Sequence, residues 1–177
     1  MNKAQHGLPN HLFKYVSSIT PIINVDLIIH NPKKGIILSW RADKYYGPGW
    51  HVPGGIIRFK ENIIDRLHHV AREEINLNHD LDFSFVTIHQ IMNPNRDIRG
   101  HFISLLFASK LENPSIDYGD FKENENGYFK WHKELPKNLI KQHKRYEKYI
   151  DKIISNGSDN FYDFGNIMDQ YSPDNEK

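Results

Sequence analysis

The stretch from Gly54 to Leu77, GGIIRFKENIIDRLHHVAREEINL, constrains the fold of this chain more than any other. A double glycine opens it. Residues 62–78 then follow a helical period: at about 100° per residue, Ile63, Leu67, Val70, Ala71 and Ile75 share one apolar stripe. Glu74 falls inside that stripe, four residues after Val70 and seven after Leu67. A carboxylate among apolar side chains is unfavourable unless it is protonated, paired or bound to a cation. The glycines upstream let a backbone carbonyl approach a ligand closely. Carboxylate and carbonyl oxygens together suit a hard cation such as Mg²⁺, which is usually shared with substrate phosphates.

The rest of the pattern alternates strands and helices. A short helix is expected over residues 9–18, then strands over Ile22–His30 and Ile36–Trp40 joined by the turn Asn31-Pro32-Lys33-Lys34-Gly35. Residues 42–50, with Tyr45, Tyr46, Gly47, Pro48 and Gly49, read as a loop. Strands are expected over Phe83–Met92, His101–Leu111 and Tyr128–Trp131, with a polar loop over 93–100. Apolar residues at 139, 140, 146, 149, 150, 153 and 154 predict an amphipathic helix over Leu139–Ile154. The expected class is mixed α and β, α/β (α+β). The division read from this pattern is an N-terminal extension (1–17), one domain (18–154) and a polar tail (155–177). The tail is expected to be loosely held, with Phe161, Tyr162 and Phe164 available to dock on the body or on a second subunit.

Composition narrows the function. Twenty-three basic and 22 acidic side chains leave a formal charge of +1, which gives no drive toward nonspecific nucleic-acid binding. The absence of cysteine excludes disulfides and thiolate chemistry. No run is long and apolar enough for a signal core or a membrane span, so the expectation is a cytoplasmic protein with no membrane partner. The 11 histidines are scattered, unlike a zinc site.

The Gly54–Leu77 stretch also resembles a Nudix box, G-x5-E-x7-R-E-U-x-E-E-x-G-U with U aliphatic. Gly55, Glu61, the pair Glu73-Glu74 and Leu77 fit it; His69, Val70 and Asn76 replace its arginine, first glutamate and last glycine. Loss of that first glutamate marks the GDP-mannose mannosyl hydrolase-like branch. Asp26 in an early strand, Arg41 after the next, and Trp50-His51-Val52-Pro53-Gly54-Gly55 occur in that branch's order. The resemblance implies the Nudix fold, a mixed β-sheet sandwiched between helices, a homodimer, and Mg²⁺-dependent hydrolysis of a nucleotide sugar, with Mn²⁺ as a substitute metal.

It further implies a metal held by the Gly55 carbonyl, Glu74 and Glu125. Asp26 would serve the sugar or the nucleotide, Arg41 the departing diphosphate, and Glu73 would be the second catalytic carboxylate. Arg58 stands near the branch's arginine position, which Ile56 fills here, and Asn126 stands where the branch carries its base. Arg99-Gly100-His101, at a strand start, offers a phosphate-binding arginine and a replacement acid–base histidine. His69, four residues before Glu73, is placed to pair with it. Two alternatives share these features: a nucleotide-sugar or ADP-ribose pyrophosphatase, and a non-catalytic module that binds a nucleotide sugar.

Overall fold

The computed structural model describes residues 7–43, 46–113 and 115–157, and the backbone of 162–163. Helix α1 (Asn10–Ile19) precedes β1 (Ile22–Asn31) and β2 (Gly35–Arg41). Two short strands follow, β3 (Gly49–His51) and β4 (Gly54–Ile56), and then α2 (Ile63–Ile75). Strands β5 (Ser84–Met92), β6 (His101–Lys110) and β7 (Phe129–His132) come next. A 3₁₀ turn over Lys141–Tyr146 leads into α3 (Glu147–Asn156), and β8 (Tyr162–Asp163) ends the described chain.

The strands form one eight-stranded mixed sheet in the order β3-β2-β1-β6-β5-β8, with β4 paired to β1 and β7 to β2. Strands β1 and β6 run parallel from Ile22↔Phe102 to His30↔Lys110, and both are β-branched or apolar along most of their length. A parallel central pair is covered on both faces, and here it is. Val25, Leu27 and Ile29 pack with Leu67, Val70, Ala71 and Ile75 of α2. On the opposite face Ile28, Leu38 and Leu106 pack with Tyr146, Ile150 and Ile153 of the C-terminal turn and helix. Asp26 shares the face of Ile28, and because both faces are buried, alternation cannot expose it.

Helix α2 starts where Asn62 accepts the Ile64 N–H and stops at Asn76, whose left-handed φ of 52° ends the helix where the box pattern has glycine. The predicted C-terminal helix is only half helical. Residues 139–146 form a bridge and a 3₁₀ turn because the Ile140 N–H is committed to the Trp50 carbonyl. The residues expected as a loop before Pro53 contain β3, which extends the sheet from β2 through Trp40↔Trp50. Of the tail, Tyr162 and Asp163 pair with Phe85 and Ser84 of β5. Phe161, Phe164 and Tyr45 lie outside the described residues.

Candidate active site

The site is built where β4 is held between β1 and α2. Gly54 faces Asp26 and Gly55 faces Val70. A side chain at Gly54 would overlap Asp26 Oδ1 and lie 2.8 Å from the Val25 carbonyl oxygen; one at Gly55 would lie 3.0 Å from a Val70 methyl. The double glycine is therefore required by close approach on both sides of the strand. Val70, in place of a carboxylate, makes the helix face opposite Gly55 apolar.

Asp26 is the buried centre of this region, 4% exposed. Its Oδ2 accepts from Tyr146 Oη at 2.5 Å, from Asn24 Nδ2 at 3.2 Å and from Ser104 Oγ. Burial pushes the carboxyl up from the ordinary aspartate range, against the pull of these donors and of nearby His51. A cleft opens beside it, and Arg41, Arg96 and Arg99 lie along its wall with His51, Tyr46 and His143. Arg41 pairs with Asp43 at 2.9 Å, and Arg41 and Arg96 lie 5.7 and 4.7 Å from the Tyr46 ring centroid. Arg99, at φ 55°, stacks on Phe13 of α1, 5.5 Å from its centroid. Among the described residues lining the cleft, three polar atoms, Asn24 Oδ1, His51 Nδ1 and Gln142 Oε1, are buried without a hydrogen-bond partner.

Glu74 stands next to this cleft, its carboxylate 3.7 Å from His51 Nε2. Its side chain is 34% exposed, so the helical stripe overstates its burial: α2 ends one residue later and β3, not core, lies against it. The donor set nonetheless fits a hard dication, since among the described residues the carboxylate has no close hydrogen bond and its ion-pair partner is the imidazole. Among the described residues no three histidine, aspartate or glutamate side chains converge into a ligand cage. Glu74 and the Gly55 carbonyl would hold such an ion, with phosphate and water completing its shell.

The cleft gathers Asp26, Arg41, Gly55 and Arg99. The other expected site residues lie elsewhere. Glu125 closes its own exposed turn by accepting the Lys122 N–H. Asn126 accepts the Ala42 N–H and so ties that turn to the end of β2. His101 accepts from the Gln90 amide at 3.0 Å and lines a separate hollow against α1. Arg58 gives its backbone N–H to Glu61 at 2.7 Å.

Glu73 is 55% exposed and pairs with Arg66 rather than with His69. His69 turns instead to Glu61, 3.1 Å away. Arg66, 4% exposed, also meets Glu61 at 3.2 Å. The arginine missing from the box at position 69 is thus replaced from position 66, one turn earlier on α2. Sequence reasoning missed Arg66, His51, Ser104, His143 and Tyr146. A helical wheel gave a signal for the first, since Arg66 lies beside Val70, but nothing local marks the others.

Residues 20–152 match the NUDIX domain family, and the chain belongs to it. The low-salt glycan biosynthesis protein Agl8 of Haloferax volcanii is 23% identical over 120 residues, 66% of this chain and 76% of that protein. The MutT protein of Methanosarcina mazei superposes with a TM-score of 0.57 at 15% identity, over 76% of this chain and 96% of the other. The NUDIX domain of Shewanella oneidensis NrtR, solved with ADP ribose, gives a TM-score of 0.50 at 15% identity, over 74% and 82%. These superpositions share the mixed sheet between helices.

Proposed function

We propose that this Nudix protein is a Mg²⁺-dependent hydrolase of nucleoside-diphosphate sugars, of the GDP-mannose mannosyl hydrolase kind, releasing the nucleoside diphosphate and the free sugar. The carrying observation is a cleft with Arg41, Arg96 and Arg99 on its wall, Gly55 within it and the Glu74 carboxylate beside it. Guanidinium forks bind the oxygens of a diphosphate in pairs. The dication, when bound, supplies further charge neutralisation to the leaving group. Arg41 holds the diphosphate as it departs. Asn24 Oδ1, buried and unpartnered, accepts from a sugar hydroxyl. Tyr146 and Ser104 fix the Asp26 carboxylate that floors the site. The likeness to a glycan-biosynthesis protein supports a sugar-bearing substrate.

Retention of Glu73 beside Glu74 on the same helix end favours a second reading, attack at phosphorus by a pyrophosphatase. Turnover of a panel of nucleoside-diphosphate sugars in ¹⁸O-labelled water separates them. Label in the free sugar, with unlabelled nucleoside diphosphate, is expected. Label in a nucleoside monophosphate or a sugar phosphate would overturn attack at carbon and establish the pyrophosphatase. No metal-dependent turnover of any member would leave a binding module.

A further inference from the structure

His143 has no part in the roles above, yet it lines the same cleft. It sits in the 3₁₀ turn over Lys141–Tyr146, held against β3 by the Ile140 N–H to the Trp50 carbonyl at 2.9 Å. Its Nδ1 accepts the backbone N–H of Val52 at 2.9 Å. A backbone N–H only donates, so Nδ1 keeps its lone pair and the proton of the neutral ring lies on Nε2. A second proton is strongly disfavoured. Burial drives the ring well below the usual histidine range, and the groups facing it, His51, Arg41 and Arg145, push the same way. The ring is therefore a neutral donor with one tautomer. It is a poor base, because freeing the Nε2 lone pair would place a proton on Nδ1 against the Val52 N–H.

We infer that His143 is a fixed hydrogen-bond donor of the cleft, presenting Nε2–H to a non-bridging oxygen of the substrate's diphosphate alongside Arg41. The inference rests on the nucleoside-diphosphate reading of the cleft. A diphosphate oxygen only accepts, which matches a donor that cannot reverse its role, whereas a water or hydroxyl can be met by either kind of group. His143 is in this sense a specificity residue: it selects the anionic part of the substrate and does not move a proton.

The test joins a tautomer measurement to binding. ¹⁵N spectra of the imidazoles between pH 5 and 8 are expected to show His143 with bare Nδ1 and protonated Nε2 throughout. A His143 resonance titrating near the ordinary histidine value, or bare at Nε2, overturns the inference. Calorimetry with GDP and with inorganic pyrophosphate, both with Mg²⁺, is expected to show affinity falling about 10- to 100-fold in His143→Phe. His143→Gln, whose amide can donate near the Nε2 position, should recover most of it. Guanosine, which lacks phosphate, should bind wild type and His143→Phe alike. Equal loss for guanosine, or no loss for pyrophosphate, overturns the assignment while leaving the proposed function intact. Failure of the wild type to bind any nucleoside diphosphate overturns both. If His143→Phe does not fold, pyrophosphate added to the wild type must shift the His143 Nε2 resonance, and an unmoved resonance refutes the contact.

Discussion

Two polar clusters lie on opposite faces of the central sheet, and they handle buried charge differently. On the α2 side, Glu61 and Arg66, 8% and 4% exposed, face each other at 3.2 Å, with His69 and Glu73 completing the set. Opposite charges meet, and Glu61, whose Oε2 accepts the Arg58 N–H, ties the loop after β4 to the helix through Arg66. On the other face Asp26 is as deeply buried, but its hydrogen-bond partners Asn24, Ser104 and Tyr146 are neutral. The first cluster is compensated from within. The second holds a carboxylate with no ion-pair partner among the described residues, beside an arginine-lined cleft, an arrangement that stability alone does not call for. Substitutions in the Glu61–Arg66 cluster should therefore cost stability, and those around the cleft should cost activity.

The largest expected effect belongs to Glu74. Glu74→Gln should lower turnover by about a hundredfold or more, the scale of losing a Lewis-acid anchor, with the melting temperature unchanged. Wild-type turnover at limiting Mg²⁺ would make Glu74 structural. Next is Glu61→Gln, which leaves the buried Arg66 with the exposed Glu73 carboxylate, 3.7 Å away, as its remaining charged partner among the described residues. It should lose about 3 kcal/mol in urea unfolding while kcat per folded molecule stays near wild type. A catalytic loss without destabilisation would erase the contrast between the clusters.

Arg41→Lys should cost about tenfold in kcat/KM, because lysine keeps the charge but loses the fork. Asp26→Asn sharpens the comparison through pH. The folded carboxyl is raised above its ordinary value, so the stability it contributes is present below pH 3.8 and lost as pH rises through the folded pKa. Removing the charge should make Asp26→Asn more stable than wild type at pH 8, the gap closing as pH falls below 3.8. A destabilised Asp26→Asn at pH 8 would place both clusters in one class. The smallest effect concerns assembly. Leu12, Tyr15 and Ile19 leave an apolar stripe of α1 exposed, a surface that the homodimer implied by the resemblance could cover. Light scattering that returned the 20.9 kDa of one chain at micromolar concentration would refute it.

The order of strands and helices was readable because hydrophobic period and turn residues act locally. The same is true of the double glycine and of Glu74, which belong to one continuous stretch. Alternation failed at Asp26 because β1 is buried on both faces, so polarity carried no directional information. The helical period failed over residues 139–146, where a backbone bond to β3 outweighs the local preference. Arg66 was hidden because its partner Glu61 reaches it only after the loop folds back onto the helix. His143 and Tyr146 were hidden by distance along the chain, since spacing cannot show which faces a sheet will bring together.

The parallel register of β1 and β6 sets an order of events during folding. Ile22 meets Phe102, and the Asp26 contacts span 78 residues to Ser104 and 120 to Tyr146. Closing such loops costs chain entropy before the contacts can repay it, and pairings of this range form slowly. The whole Gly54–Leu77 stretch lies within the interval that β1 and β6 must close. During synthesis that stretch emerges from the ribosome before the strand that completes its sheet. A nascent chain ending at Leu77 would thus carry Glu74 and both glycines, but no cleft in which to use them.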